Sequence, residues 1–478
     1  FTMSAPPKPD DVTRGLADLS VQDANVTTGA PIAATSSSAP STDSASASSS
    51  ASASSSSPAA TIPDLANLTK EDLFKLMAQM GKRPLEASAP QAKEYKFWNT
   101  QPVPKIDANP TEHGPIETKT VADISTSPYP LPTNFEWDSI DMTDEKQVQE
   151  VYTLLYENYV EDDDNMFRFD YSPAFLKWAL MPPGFRREWH VGVRSSTNRK
   201  LVAFISGIPQ KMRAYKDEVM MVEINYLCVH KKLRAKRLAP VLIKEITRRV
   251  NLRDIWQAVY TAGVVLPKAV AQNRYYHRSL NPKKLIDIGF SRLHRNMTMT
   301  RTIKLYKVAD QPQLPGFRQL KKEDIPQVHT LLSTYLQKFN LAPVFTEDEL
   351  AHWLTPVEGV VDAFVVQGSN GKITDLCSFY HLPSTVIGNK NYNTMRAAYS
   401  FYNVTHLPTE ERWNDLMGDA LIMAKKLDMD VFNALNVMEN EKFLKPLKFG
   451  EGDGYLQYYL YNWQCPAVTP NNVGLVLL

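Results

Sequence analysis

The sequence predicts a mixed α/β fold with two similar halves behind a disordered N-terminal tail. After Asp141, segments with apolar residues at helical spacing alternate with short strand-like runs. A second series in the same order follows Gly316, which indicates an internal duplication. Residues 34–60 are almost entirely Ser, Ala, Thr and Pro, so they cannot bury enough apolar surface to offset the entropy of ordering them.

The elements of both series follow from the spacing of their apolar residues. A repeat every three or four residues predicts a helix, and a short run rich in β-branched or aromatic residues predicts a strand. The first series gives a helix at 147–159 and strands at 189–193, 201–208 and 219–229. The second gives helices near 327–337 and 413–426, with strands near 363–367, 374–380 and 454–461.

We expect three regions along the chain. Residues 1–90 form the tail, with a short amphipathic helix near 69–80 because Thr69 and Asp72 resemble a capping box and apolar residues follow at helical spacing. Residues 91–310 form an N-terminal half that opens with a Pro-rich and aromatic arm, and residues 311–478 form a C-terminal half. Such an arm often covers a ligand.

Composition excludes several function classes. The 53 Lys and Arg residues balance 52 Asp and Glu, so a net charge of +1 gives no overall attraction to nucleic acid or membranes. Cys228, Cys377 and Cys465 lie far apart, which argues against a disulfide framework and fits a reducing cytoplasm. The nine histidines lack zinc-site spacing, and no apolar run approaches the roughly 18 residues of a membrane helix. We therefore expect a cytoplasmic protein without a metal or a transmembrane segment.

A strand, a basic loop and a helix follow one another at residues 221–250. The loop reads HKKLRAKR, and Pro240 near the start of the helix has no N–H to lose there. Free backbone N–H groups and the helix dipole favour an anion at this junction, and a pyrophosphate is the expected guest. The alternative is a nuclear-localisation signal or a solvated basic run.

Four acidic residues in a row, at 161–164, form a second cluster. Adjacent carboxylates repel one another unless cations lie near, so this loop could bind a metal or a basic peptide. The spacing does not fit an EF-hand, and from these residues alone a solvated loop is favoured.

The last six residues, VGLVLL, are apolar, which is unusual for a chain end. Burying them would carry the Leu478 α-carboxylate inward. Desolvation would then raise its pKa above the usual value of about 3.5 and make it a candidate general base. The alternative is that the segment finishes a strand and its carboxylate reaches water.

Six sequence blocks together resemble the eukaryotic N-myristoyltransferases of the fungal type, the glycylpeptide N-tetradecanoyltransferases. The blocks are YKFW (95–98), YVEDDDNMFRFDY (159–171), EINYLCVHK (223–231), YTAGVVLP (260–267), KFGEGDG (448–454) and the final GLVLL. The resemblance runs from about residue 90 to Leu478. It implies two pseudo-symmetric halves of the acyl-CoA N-acyltransferase fold in one compact body. The N-terminal half would bind myristoyl-CoA, and the C-terminal half would contribute the peptide groove and the terminal carboxylate.

The resemblance also implies the site residues. In catalysis, the N–H groups of Tyr226 and Leu227 would bind the oxyanion, Asn225 and Thr261 would orient the glycine amine, and Leu478 would accept its proton. The residues that would bind myristoyl-CoA are Tyr95, Lys96, Phe97, Trp98, Leu227, Cys228, Val229, Arg234, Ala235, Lys236, Arg237, Leu238 and Ala239. The residues that would bind the peptide are Tyr159, Asp162, Asp164, Phe167, Phe169, Tyr275, His277, Ser378 and Asp453.

The expected activity is transfer of myristate from myristoyl-CoA to the α-amino group of an N-terminal glycine. An α-amine has a pKa of about 8 against about 10.4 for Lys, so a weak base suffices and no acyl-enzyme is required. We expect a monomer with no cofactor, since myristoyl-CoA is a substrate. Its partners would be proteins with N-terminal glycine, with nascent chains at ribosomes as one potential source, and no nucleic acid. The alternatives are another acyl-CoA N-acyltransferase that acts on Lys amines, and an RNA-binding or nuclear-import module.

Overall fold

The computed structural model describes residues 95–162 and 165–478. The predicted helix near 69–80 lies outside these residues. The helices are Glu145–Asn158 (α1), Pro173–Leu180 (α2), Leu238–Asn251 (α3), Pro282–Asp287 (α4), Met299–Leu305 (α5), Ile325–Leu336 (α6), Glu347–Leu354 (α7), Glu410–Lys426 (α8) and Glu441–Leu444 (α9). The strands are Phe135–Ser139 (β1), Phe167–Phe169 (β2), His190–Ser195 (β3), Leu201–Ala214 (β4), Asp217–Val229 (β5), Gln257–Ala262 (β6), Ala271–Ser279 (β7), Phe317–Gln319 (β8), Leu341–Pro343 (β9), Val361–Gln367 (β10), Ile373–His381 (β11), Ser384–Val386 (β12), Thr394–Met395 (β13), Ala397–Ser400 (β14), Val404–Thr405 (β15), Val431–Leu435 (β16) and Gly450–Tyr461 (β17).

One large mixed sheet forms the centre of the described chain. Its strand order is β1-β3-β4-β5-β6-β17-β7-β16-β14-β11-β10-β8, with β9 paired to β4 and β15 paired to β11. A small second sheet has the order β13-β12-β2. Helices and strands therefore alternate in a mixed α/β fold, which confirms the predicted fold class.

The sheet contains the predicted internal duplication. In the first half β3-β4 and β4-β5 are antiparallel and β5-β6 is parallel. In the second half β10-β11 and β11-β14 are antiparallel and β14-β16 is parallel. Between the two units β17 pairs with β6 and β7, and β7 pairs with β16. Each half thus contributes one strand that pairs with a strand of the other half. The domain boundary between residues 310 and 311 stays a prediction.

Each predicted helix and strand among the described residues has an observed counterpart, with shifted ends. The largest difference is β4, which was predicted to stop before Pro209 but continues to Ala214. Pro209 is accommodated opposite Val222, and the strand goes on because Met212 is fully buried and pairs with Pro343 of β9. Tertiary pairing outweighs the local signal of the proline.

The Pro-rich arm runs with little regular structure from Lys96 to β1. The Asn462 side chain bonds both backbone groups of Glu117, at 2.7 and 3.0 Å. Farther along, the Tyr129 N–H donates to the buried Glu245 carboxylate of α3 at 3.1 Å. The arm is therefore fixed along β17 and α3. In the part of the chain described here, no helix is both long and apolar enough to cross a bilayer.

Candidate active site

The centre of the site is a bulge in β5. Phe204 lies opposite Cys228 and Ser206 lies opposite Asn225, so Tyr226 and Leu227 together face Ile205 alone. Tyr226 adopts a left-handed backbone conformation with φ of 56°. A bulge of this kind turns peptide groups out of the regular ladder, which allows a backbone N–H to point at a ligand.

Strands β5 and β6 separate next to this bulge. Their parallel pairing covers Met221 to Glu223 on β5 and ends at Val259 on β6. Asn225 and Thr261 follow on the two strands and are 5% and 2% exposed. The two polar side chains that the resemblance implies would orient the amine therefore follow the last paired residues of the two separating strands.

Glu223 is a buried acid that the sequence analysis did not single out. The Asn225 amide donates to its carboxyl oxygen at 2.7 Å. Burial raises the pKa of Glu223 to about 8, and the hydrogen bond from Asn225 opposes only part of that rise. Glu223 is thus mainly protonated at neutral pH, and it holds the Asn225 side chain in place.

An apolar cavity lies between β5, β6 and α3. Its volume is about 50 Å³, below the roughly 300–1,000 Å³ range of small-molecule sites, so a long ligand requires the cavity to widen. Leu227 lies at its bulge end, and Trp98 of the arm stacks on Tyr260 with ring centroids 5.9 Å apart. Ile246 and Val250 line it from α3. The apolar character of this lining suits an aliphatic chain.

The basic loop meets the start of α3, the helix whose later turns line this cavity. Residues Lys231–Lys236 form a 3-10 helix, and Arg237, in a left-handed conformation, precedes α3 without a side-chain cap. A cation at an uncapped helix N-terminus is unfavourable unless an anion binds there. Asn158 shapes the loop, because its Oδ1 accepts from the Lys231 N–H at 3.0 Å and its carbonyl accepts from Arg234 at 2.7 Å.

The chain end lies inside the protein, as the sequence predicted. The Tyr458 hydroxyl donates to the Leu475 carbonyl at 2.9 Å, and the Val476 N–H donates to the Tyr402 hydroxyl at 3.3 Å. Leu478 is 6% exposed and borders a small cavity that Gln210 and Glu223 also line. Two carboxylates in one cavity would repel each other. Because Glu223 is mainly neutral, it does not oppose a negative charge on the Leu478 α-carboxylate.

A continuous series of aromatic rings leads away from the bulge. Tyr159 lies 6.1 Å from Tyr226, and Tyr275 and His277 stack with centroids 6.5 Å apart. Burial lowers the pKa of His277, despite a hydrogen bond to Asn433 and the nearby negative charge of Asp453. Phe167 and Phe169 of β2 are buried in the same region. The five predicted aromatic residues of the peptide site therefore belong to one buried ring cluster.

The acidic loop is partly neutralised by the chain itself. Glu161 pairs with Arg168 at 2.5 Å and with Lys231 at 2.7 Å. Burial would raise the pKa of Glu161, but these cations lower it overall. Asp162 accepts a hydrogen bond from the Phe167 N–H at 2.7 Å, whereas Asp164 lies outside the described residues. Among the described residues no cluster of His, Cys, Asp or Glu could hold a metal ion.

The other predicted contacts have varied surroundings. Cys228 is buried, and burial raises its pKa to about 12, which fits packing rather than nucleophilic chemistry. Ser378 is buried in β11, where its hydroxyl donates to the Tyr402 carbonyl at 2.7 Å. The remaining myristoyl-CoA candidates are Tyr95, the first described residue, Lys96 and the buried Phe97 on the arm, Val229 at the end of β5, Ala235 and Lys236 exposed on the loop, and Leu238 and Ala239 buried at the start of α3.

Several buried residues in and beside this ring cluster were not predicted. Tyr171 and Tyr399 connect the ring series, with Tyr171 5.1 Å from Tyr226 and Tyr399 6.4 Å from Tyr275. Ser384 is buried opposite Phe169, and its hydroxyl has no hydrogen-bond partner among the described residues. Only Tyr171 lay in a quoted block, so the other two had no local signal.

Comparison with known proteins assigns the family. The models of the myristoyl-CoA:protein N-myristoyltransferases match this chain, the N-terminal domain over residues 115–273 and the C-terminal domain over residues 287–476. The chain belongs to this family. It is therefore an acyltransferase that transfers myristoyl groups from myristoyl-CoA to proteins.

Similar proteins come from distant eukaryotes. The glycylpeptide N-tetradecanoyltransferase of Drosophila melanogaster is 55% identical over 86% of this chain and 86% of its own length. Glycylpeptide N-tetradecanoyltransferase 2 of Danio rerio is 58% identical over 80% of this chain and 77% of its own length. The crystal structure of Saccharomyces cerevisiae N-myristoyltransferase with bound myristoyl-CoA superposes with a TM-score of 0.78 at 44% identity, and the match covers 81% of this chain and 100% of that one. The N-myristoyltransferase resemblance predicted from the sequence blocks is thus confirmed.

Proposed function

We propose that this N-myristoyltransferase acylates the α-amino group of an N-terminal glycine by direct attack of the amine on the thioester. One observation carries the proposal: residues 223–227 of β5 border the apolar cavity through Leu227, the aromatic rings through Tyr226 and the small cavity at the chain end through Glu223. A thioester carbonyl at the bulge would have its acyl chain in the cavity and the incoming amine on the groove side.

The acyl donor is held at both ends in this scheme. The acyl chain widens and fills the apolar cavity, where each buried CH₂ contributes about 0.8 kcal/mol. The CoA phosphates lie against Arg234, Lys236 and the uncapped start of α3, which supplies N–H donors and the positive end of the helix dipole. The arm residues Lys96–Trp98 close over the donor.

The oxyanion is stabilised by the peptide N–H groups of Tyr226 and Leu227. Donors that are already fixed in a water-poor site cost no reorganisation when the tetrahedral intermediate forms, and one such donor can be worth about 3 kcal/mol. The backbone supplies this stabilisation, so the Tyr226 side chain has no chemical role.

The nucleophile is oriented by Asn225 and Thr261 and loses its proton to the α-carboxylate of Leu478. Glu223 fixes the Asn225 amide through the 2.7 Å hydrogen bond. The amine nitrogen forms the new C–N bond, the thioester C–S bond breaks, and the sulfur leaves as CoA thiolate, which takes up a proton. The scheme uses no metal and no further cofactor.

The aromatic groove selects the peptide. Only a glycine has no Cβ, so a narrow passage between Tyr159, Tyr226 and Tyr275 would admit it and exclude larger first residues. Farther along, Asp162, Asp164 and Asp453 provide acidic contacts for a basic peptide residue, and Ser378 belongs to the same proposed set. We further propose that the enzyme acts as a cytoplasmic monomer on completed or nascent N-terminal-glycine proteins.

A peptide series tests the function. One peptide begins with glycine and contains an internal Lys, a second carries an acetyl group on the glycine, and a third begins with Ala. Incubation with myristoyl-CoA followed by fragmentation mass spectrometry locates any added acyl group. We expect acylation at the α-amine of the first peptide and none on the others. Acylation mainly at Lys in the acetylated peptide would instead indicate a Lys N-acyltransferase.

A further inference from the structure

A basic segment, residues 288–309, follows the aromatic groove. It carries five Lys or Arg residues and no Asp or Glu, in a chain whose total net charge is only +1. The charges of the whole chain therefore balance, but those of this segment do not. A local excess of cations is the electrostatic footprint of an anionic partner.

The cations of the basic segment face solvent. Arg295, Arg301, Lys304 and Lys307 are exposed, and none forms an ion pair with another described residue. Lys448 adds a sixth cation, because its Nζ donates to the Leu305 carbonyl at 3.2 Å. Ion pairs within the described residues therefore do not neutralise Arg295, Arg301, Lys304 and Lys307.

Exposed apolar side chains lie among these cations. Leu293, Ile303 and Leu305 are 40%, 45% and 40% exposed, although large apolar residues normally avoid such exposure when they cluster. In α5 only Thr302 is buried. This helix therefore presents mixed basic and apolar side chains outward instead of burying an apolar face.

The basic segment is held firmly by the body beneath it. Thr298 caps α5 by accepting from the Arg301 N–H at 3.3 Å. Arg278 of β7 lies 5.0 Å from the Tyr306 ring centre and donates to the Tyr306 carbonyl at 3.3 Å. The exposed side chains thus belong to a preformed surface.

We propose that the basic segment, together with Lys448, adsorbs the enzyme to anionic lipid bilayers. Lys and Arg attract acidic headgroups, and neighbouring Leu and Ile side chains insert at the headgroup boundary. A folded single-stranded RNA site would instead present aromatic rings for base stacking. Here Tyr306 is covered by Arg278, and the exposed side chains between the cations are aliphatic.

The basic segment lies next to the aromatic residues of the proposed peptide groove. Phe290, within the basic segment, packs 5.4 Å from His277 and 5.8 Å from Phe167 in the groove wall. A newly acylated peptide leaving the groove would emerge beside the bilayer into which its acyl chain partitions. This consequence rests on the proposed function, whereas the adsorption itself does not.

Vesicle sedimentation with the full chain tests the proposal. Phosphatidylcholine vesicles with and without about 30% phosphatidylserine are compared at about 0.1 M and about 0.5 M salt. Two double variants are used, Arg301→Gln with Lys304→Gln, and Ile303→Ser with Leu305→Ser. The matched controls are Lys216→Gln with Lys322→Gln, which removes equal charge from exposed positions elsewhere, and Leu407→Ser, at a side chain 49% exposed.

We expect adsorption only to the anionic vesicles, weakened at high salt. Each lost cation should lower the partition coefficient about fivefold, so the charge variant falls about 25-fold. The apolar variant should fall about tenfold or more, and the controls should match the unaltered chain. Acyl transfer to a soluble peptide should be unchanged in all variants, which separates this test from that of the proposed function. Absence of adsorption, or adsorption unaffected by both double variants, would overturn the proposal. RNA binding lost in the charge variant without lipid binding would also overturn it.

Discussion

Glu223→Gln should stabilise the protein increasingly as pH rises. The pKa of Glu223 is about 8 in the folded chain against 4.5 for an ordinary Glu, so folding favours its protonated form. The stability that this proton contributes is complete below pH 4.5 and is lost as pH rises to 8. A difference of 3.5 pKa units corresponds to about 5 kcal/mol at 1.36 kcal/mol per unit. The amide of Gln is neutral at every pH, so the variant lacks this loss.

Urea unfolding of both proteins between pH 5 and pH 8.5 measures the difference. Relative to the unaltered chain, Glu223→Gln should gain about 1 kcal/mol at pH 5, about 3 kcal/mol at pH 7 and about 5 kcal/mol above pH 8. Single-turnover transfer should stay within a few-fold, because the Gln carbonyl still accepts the hydrogen bond from Asn225. Glu223→Leu is the matched comparison, since it removes both the charge and the acceptor and should slow transfer. A stability difference that does not grow with pH would refute the reasoning.

Three other substitutions test separate parts of the site. Tyr226→Phe should raise the free energy of unfolding by about 1 kcal/mol, because the buried hydroxyl has no hydrogen-bond partner among the described residues. The transfer rate should not change, and a tenfold loss of rate would show that the side chain acts in the chemistry. Gly474→Ala should lower the free energy of unfolding by about 1–3 kcal/mol, since the added Cβ would lie 3.0 Å from Ala342 and Phe339. The single-turnover transfer rate should fall more than the affinity for myristoyl-CoA. Equal losses of both would contradict a local displacement of the chain end. In a binding titration, Lys236→Gln should weaken the affinity for myristoyl-CoA several-fold at low salt and less at about 0.5 M salt. Lys216→Gln is the control. A loss of affinity that does not depend on salt would argue against a contact between Lys236 and a phosphate.

Much of the fold could be predicted because local spacing and tertiary structure agree. In α3, Leu238, Leu242, Ile246 and Val250 recur at helical spacing and are all buried. The pairing order of each half could not be predicted, since strand neighbours depend on contacts far apart in sequence. The exchange of β7 and β17 between the halves is one such feature.

The site was predictable where a local pattern carries the chemistry. The strand, basic loop and helix predicted at residues 221–250 are present in the structure, and the apolar chain end correctly predicted that Leu478 is buried. Glu223 and Ser384 were missed for a different reason. Glu223 is buried beside Asn225, and Ser384 is buried opposite Phe169. A single sequence does not show which polar side chains are buried away from solvent.

The most direct test of the mechanism removes only the terminal charge. Expressed protein ligation can produce the chain with a carboxamide in place of the Leu478 carboxylate, which preserves the buried side chain. Single-turnover transfer from preloaded myristoyl-CoA to an N-terminal-glycine peptide is then compared with that of the ligated chain carrying the free acid. We predict a rate loss of about 100-fold or more, the usual contribution of a general base, with unchanged myristoyl-CoA binding and thermal stability. Equal rates for the two chains would contradict the assignment of Leu478 as the base.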